Sequence, residues 1–380
     1  MKNKLRPIAI YLPQFHPIPE NDAWWGKGFT EWTNVAQAKP LFKDHYQPHF
    51  PADLGFYDLR LSETREAQAQ LAKDYGIYGF CYYHYWFNGR RILERPFQEV
   101  FDSGKPDFPF MLCWANENWT RVWDGNQGEL LLQQIYSEED DRQHIKTLLP
   151  FFKDPRYIKI DDKPVFALYR SALLPNVAQT IKIWREEALK EGINLYLCRF
   201  ESSGASGKEF LNDGFDAAIE FQPFSPKLDV FIQKMILNLK KRNAFYRIVN
   251  KLGTRLGSKK KIELKNKDFF EIIRKTKDYN SFVDHIISNY KKDNDYVLFP
   301  GATPSWDNTS RMKDQPFYFI NANPSKFKEW LKFIKDNFHP ITPNENLVFL
   351  NAWNEWAEGC HLEPCQKWGC QYLEAVKAVF

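Results

Sequence analysis

Glu355 and Glu358 stand three residues apart near the C-terminus, in Trp353-Asn354-Glu355-Trp356-Ala357-Glu358-Gly359. The run Leu347-Val348-Phe349-Leu350 leads into them and has the character of a buried strand. Burial disfavours an ionised carboxylate, so charge delivered there among indole rings is rare unless it is paired or used. Two carboxylates in unlike environments suit sugar chemistry, in which one group acts as an acid while the other is ionised. In a straight strand, positions three apart point to opposite faces. One helix-like turn past the strand end brings them to one side, and Gly359 and Pro364 are turn signals there. Glu117 is a rival, because Asn116-Glu117 ends another apolar run as Asn354-Glu355 ends this one. Its ordinary alternatives are hydrogen bonding to a substrate hydroxyl and an ion pair with Arg121.

Aromatic residues make up 17 % of the chain and include 13 Trp. Flat rings suit carbohydrate, since the apolar faces of a pyranose stack on them while polar edges bind its hydroxyls. The expected substrate-binding aromatics are Tyr11, Trp25, Trp32, Tyr83, Trp86, Trp114, Trp119, Trp306, Trp353 and Trp356. The polar members of that set are His16, His84, Asn116, Glu117, Asp307, Asn354, His361 and Glu363. No H-E-x-x-H or similar spacing makes the histidines a metal site, and no cofactor fingerprint is visible. His45 and His49 read as structural residues of a loop.

These side chains sit at the ends of short apolar runs. Strands are expected at Ile8–Pro13, Ile77–Tyr83, Phe110–Trp114, Pro164–Tyr169, Leu195–Phe200, Ala217–Phe221, Tyr296–Pro300 and Leu347–Ala352. Helical patterns lie between them, at Asp58–Asp74, Glu94–Phe101, the stretch from Ser137, Val177–Lys190, Pro324–Asp336 and Gly369–Phe380. Eight strands alternating with helices predict a parallel sheet closed into a (β/α)8 barrel. An open doubly wound sheet is the alternative, but the first turn lacks its glycine-rich phosphate loop. Ten of the 13 tryptophans fall at or just after the ends of the first, second, third, seventh and eighth strands, where a barrel keeps its active site.

Residues 1–380 read as one barrel domain carrying a basic helical insertion at 225–290. Within it, residues 227–278 hold 16 Lys or Arg against 5 Asp or Glu, although the whole chain is only +4. That segment is either a solvated helical excursion or a basic patch for peripheral contact with an anionic membrane. The weak net charge argues against nucleic acid. No apolar run approaches the roughly 20 residues that span a bilayer, and no signal-peptide pattern precedes the first strand. The six cysteines lack the spacing of a zinc knuckle and read as reduced structural thiols, which fits a cytoplasmic location.

Trp353-Asn354-Glu355-Trp356-Ala357-Glu358-Gly359 followed by Leu362-Glu363-Pro364 resembles the C-terminal signature of glycoside hydrolase family 99. Tyr11-Leu12-Pro13-Gln14-Phe15-His16-Pro17 and Trp25-Gly26-Lys27-Gly28-Phe29-Thr30-Glu31-Trp32 are similar to the opening of WbsX-type proteins. Gly79-Phe80-Cys81-Tyr82-Tyr83-His84-Tyr85-Trp86 and Trp114-Ala115-Asn116-Glu117-Asn118-Trp119 match that group too. WbsX-type proteins belong to polysaccharide and O-antigen clusters and are described as glycosyltransferases. The resemblance implies a metal-free (β/α)8 barrel that acts on α-mannosides with retention. It also implies that Glu355 acts as base on the sugar 2-hydroxyl, giving an anhydro-sugar intermediate, with Glu358 as acid/base. The expected function is retaining glycosyl transfer in surface polysaccharide assembly, from a sugar donor to a lipid-linked acceptor. The alternatives are an endo-glycosidase cutting α-mannoside-type linkages and an inactive glycan-binding barrel.

Overall fold

The computed structural model describes residues 4–121, 126–202, 205–235, 237, 277–290, 295–312 and 316–380. Eight parallel strand positions form its frame. They are β1 (Arg6–Tyr11), β2 (Gly79–Phe87), β3 (Phe110–Trp114), β4 (Lys163–Leu168), β5 (Tyr196–Glu201), β6 (Ala217–Glu220), β7 (Leu298–Phe299 with Gly301–Ala302) and β8 (Leu347–Leu350). Their spatial order is β7-β6-β5-β4-β3-β2-β1-β8, returning to β7. The strands are short, apolar and buried along almost their whole length, as expected where a parallel sheet is covered on both faces.

The ring closes through β7. Leu298 and Phe299 pair with Ala218 and Ile219 of β6, whereas Gly301 and Ala302 pair with Phe349 and Leu350 of β8. Pro300, between the two halves, has no N–H to give a ladder, but its carbonyl accepts the Phe349 N–H at 2.9 Å. Gly301 permits the close approach to β6, because a Cβ there would lie 2.0 Å from the Glu220 carbonyl oxygen.

Helices follow the strands and pack around them, at Ser62–Asp74, Arg95–Ser103, Glu138–Phe152, Val177–Lys190, Tyr279–Ser288, Pro324–Asn337 and Gln371–Lys377, except between β5 and β6, where the described residues hold only the 3-10 turn Lys208–Leu211. Several begin on the side chain that caps them. Ser137, Asn176, Asp278 and Asn323 each accept a backbone N–H three residues on. Glu138 to Asp141 fill the first turn of one helix, where negative charge meets the positive end of the dipole.

Two features depart from the sequence expectation. The aromatic stretch after β1 contains two seven-residue helices, Pro19–Trp25 and Glu31–Gln37, which are too short for periodicity to reveal. An antiparallel hairpin, Trp119–Arg121 against Asn126–Leu132, rises beyond β3. Of the basic insertion expected at 225–290, residues 226–235 and Tyr279–Ser288 are helical. Residues 238–276, which hold most of its charge, lie outside the described residues, as does Trp123. Among the described residues no helix is long and apolar enough to cross a membrane.

Candidate active site

The chain turns sharply at the end of β8. Asn354 and Glu355 pair antiparallel with His361 and Cys360, and Trp356–Glu358 form one 3-10 turn between them. Residues three apart on such a turn lie over one another, so both carboxylates face the same way. Gly359 closes the turn at φ +56°, and a Cβ there would meet Asp307 Cβ at 2.9 Å. Asn354 ties the loop to β1, accepting the Leu12 N–H at 2.8 Å and donating to the Leu12 carbonyl at 3.0 Å.

Glu355 and Glu358 open into a cavity of about 430 Å³ at the C-terminal ends of the strands. Glu355 is only 5 % exposed, and its Oε2 has no hydrogen-bond partner. Burial pushes its carboxyl up to about 7, and buried Glu31 adds to the rise while Arg311 opposes it. Glu358 is ion-paired with Arg311. The same guanidinium lies 3.7 Å from Glu31 Oε1. Glu31 is fully buried, and burial raises its carboxyl above the ordinary range against the pull of Arg311. Three carboxylates thus surround one arginine. Glu355 is desolvated, its carboxyl raised by burial to about 7, while Glu358 is held in an ion pair, so the two groups facing the cavity stand in unlike environments.

The walls suit a sugar. Trp25, Trp119, Tyr83, Tyr85, Trp306 and Phe224 supply rings, and Gln14, Asn21 and Asn308 supply amides. Glu117 stands at the rim with its side chain half exposed. Its ion-pair partner is Arg170 at 3.0 Å. The expected partner, Arg121, pairs instead with Glu129 at 2.7 Å.

Of the residues singled out from sequence, Trp25, Tyr83, Glu117, Trp119, Trp306, Glu355 and Glu358 line this cavity. The others do not line it. Glu363 is buried and accepts hydrogen bonds from Tyr57 Oη (2.8 Å), Gln68 Nε2 (2.6 Å) and Trp356 Nε1 (2.7 Å). Burial lifts it also to about 7, but its acceptor sites are occupied by the scaffold. Tyr11 donates to Gln68 in the same network. Trp32 donates to the Tyr57 carbonyl and lies against Trp356, while Trp353 is wholly enclosed. Asn116 is occupied by the Arg170 backbone.

His84 lies 3.0 Å from His144 between barrel and helices, where Trp86 donates to Asp140 and Trp114 to the Trp86 carbonyl. Burial holds both histidines well below their usual range, hence neutral. His16 is buried beside the Pro13 carbonyl and lowered by burial to about 4. Asp307 and His361 line a second, separate cavity of about 700 Å³, together with His45 and His49. Among the described residues no cluster of three or more His, Cys, Asp or Glu could hold a metal. All six cysteines are free thiols.

Sequence reasoning passed over Glu31, Arg311, Tyr85 and Arg170. Glu31 and Tyr85 lie inside aromatic motifs already marked, so their neighbours were the available signal. Arg311 has no local signature, since its role comes from contacts with residues 47 and 280 positions away.

A family model described as Glycosyltransferase WbsX matches residues 7–376. The chain belongs to the WbsX glycosyltransferase family. It is 37 % identical over 372 residues to WxcX of Xanthomonas campestris pv. campestris strain ATCC 33913, described as uncharacterized, and equally to WxcX of strain B100. Those matches cover 97 % of this WbsX-family chain and 49 % of WxcX, so the chain spans about half the length of the curated relatives it matches. Its fold is similar to that of a glycoside hydrolase-like protein, with a TM-score of 0.56 at 12 % identity covering 100 % and 94 % of the two chains. A GH99 endo-alpha-mannosidase from Bacteroides thetaiotaomicron is alike to the same degree, at 0.56 and 11 % identity over 98 % of this chain and 95 % of that one. At such identity the likeness concerns the fold, a (β/α)8 barrel.

Proposed function

We propose that this WbsX-family protein transfers a glycosyl residue with retention in surface polysaccharide assembly, using Glu355 and Glu358. The observation that carries the proposal is Glu355: buried in the cavity, with an unpartnered carboxylate oxygen, and poised near pH 7. A general base works best when its affinity for protons matches the working pH. In the first step Glu355 takes the proton of the sugar 2-hydroxyl as that oxygen closes on the anomeric carbon. The glycosidic bond breaks, and Glu358 gives a proton to the departing oxygen. In the second step an acceptor hydroxyl attacks the anomeric carbon and opens the anhydro ring. Glu358 takes the acceptor proton, and Glu355 returns its own to the 2-oxygen. Two displacements leave the anomeric configuration unchanged. Arg311 pairs with Glu358 in the free site, so loading Glu358 with a proton requires that pair to loosen as substrate enters.

The donor, a lipid-linked acceptor, a cytoplasmic location and peripheral membrane contact through residues 227–278 belong to the same proposal. The family assignment favours transfer to a sugar over transfer to water. The test is product analysis. The protein is incubated with mannose-containing glycans and, separately, with sugar nucleotides and a lipid-linked acceptor. Extension of the acceptor with retained configuration is expected, with at least about a hundredfold loss in Glu355→Gln and in Glu358→Gln. Free oligosaccharide as the main product would make it a hydrolase. Glycan binding without turnover, unchanged in both variants, would make it a binding protein. Undiminished activity in Glu358→Gln would refute the acid/base role.

A further inference from the structure

The second cavity adjoins the first. Trp306 and Asn308 line the first, while Asp307 between them lines the second. Glu358 faces the first and Gly359 the second. The Asp307 N–H donates to the Glu358 carbonyl at 2.5 Å, which ties the two loops into one dividing wall.

The larger cavity has its own chemistry. Its rings include Phe42, Tyr46, Tyr318, Trp368 and Tyr372. Its cations are Lys43, Lys277 and Lys367. The Lys277 ammonium sits 3.6 Å from the centre of the Tyr318 ring, and the Lys367 ammonium 4.7 Å from Tyr46 and 5.1 Å from Trp368. Among the described residues none of these three lysines is ion-paired with a carboxylate. Asp307 is engaged already, by His45 at 2.7 Å and by the Thr309 N–H and hydroxyl at 3.0 and 2.6 Å. Asp44 is an exposed rim residue. His49 and His361 face each other at 3.0 Å, and burial keeps both below their usual range, so they add no cation at neutral pH. The Asp307 carboxylate acts on Lys277 but is already held by His45 and Thr309, so the ammonium groups resting on aromatic faces can still take an anion. Rings beside them offer the flat apolar surface on which a sugar stacks.

We propose that this cavity binds a sugar carrying an anionic group, with the ring against the aromatic wall and the charge on Lys277 and Lys367. The proposal is independent of the chemistry at Glu355 and Glu358. The anion could be a phosphate ester or a sugar carboxylate, and the experiment separates them. The 380-residue chain is titrated calorimetrically at low ionic strength with a hexose 1-phosphate, a hexuronic acid, the neutral hexose and inorganic phosphate.

Saturable binding of one anionic sugar is expected, at least tenfold tighter than either the neutral hexose or inorganic phosphate. Lys277→Met should weaken it at least tenfold and Lys277→Arg should restore most of it. Lys367→Met, at the exposed rim, gives a second variant in which folding is not at issue. Glu355→Gln should bind unchanged even where it has lost turnover, which keeps this proposal distinct from the catalytic one. The proposal is overturned if neither anionic sugar binds, or if neutral hexose or phosphate binds as tightly. It also fails if both methionine variants bind as the parent does, or if Glu355→Gln abolishes binding and so places the ligand in the first cavity.

Discussion

Replacing Glu355 by Gln should stabilise the protein, and only above a defined pH. Glu355 has a folded-state pKa of about 7 against an ordinary 4.5, because burial penalises its charge more than Arg311 relieves it. Between those values the folded chain keeps the proton and the unfolded chain has lost it. Stability therefore falls as pH rises from about 4.5 to 7 and is flat beyond. At about 1.4 kcal/mol per pH unit, the carboxylate costs about 3 kcal/mol at pH 8. The side chain is 5 % exposed, so solvent screening removes little of this. Glutamine is nearly isosteric and never ionises. Urea unfolding followed by circular dichroism should show Glu355→Gln more stable than the parent by about 3 kcal/mol at pH 8 and nearly equal to it at pH 4.5. The same substitution should remove activity if Glu355 is the base proposed above, the trade between stability and activity expected of a buried functional charge. No gain at pH 8, or a gain of equal size at both pH values, would refute the argument that the buried surroundings of Glu355 impose this cost on its charge.

Glu363 shares the same raised pKa but should respond in the opposite sense. Glu363→Leu strands the donors of Tyr57, Gln68 and Trp356, so urea unfolding at pH 8 should show a loss of about 3 kcal/mol or more. Arg311→Met removes the cation that opposes the rise at Glu355. The pH at which kcat/KM rises should then move upward by about one pH unit, and an unmoved profile would show that Arg311 does not set it. Gly359→Ala places a side chain at φ +56° against Asp307. It should cost about 2 kcal/mol of stability in the same unfolding assay and lower kcat, because the turn that presents Glu358 must shift.

The barrel was legible because parallel strands buried on both faces read as short apolar runs, and their helices carry capping residues at the expected offsets. Phe110–Trp114 and Val177–Lys190 fall where the pattern places them. The pairing of β7 with two different neighbours was not legible, since a break at Pro300 depends on which strands flank it. Aromatic clustering marked the mouth of the barrel but overstated the cavity lining. A tryptophan at a strand end can line the cavity, as Trp306 does, or can pack away from it, as Trp353 and Trp114 do. Sequence position does not distinguish these, because side-chain direction is set by the course of the loop beyond the strand.

From sequence alone came the alternation of strands and helices, the delivery of Glu355 and Glu358 to a strand end, and the turn that brings them together. All of these are local consequences of periodicity, spacing and glycine. Tertiary structure alone decided the surroundings of each carboxylate. Glu363, five residues beyond Glu358, points into a cage of donors from the region around Tyr57 and Gln68. Glu31, more than three hundred residues before Glu355, joins the charge cluster of Glu355 and Glu358 through Arg311. The free energy of a buried charge depends on every group packed around it, and those groups are gathered by folding rather than by order along the chain.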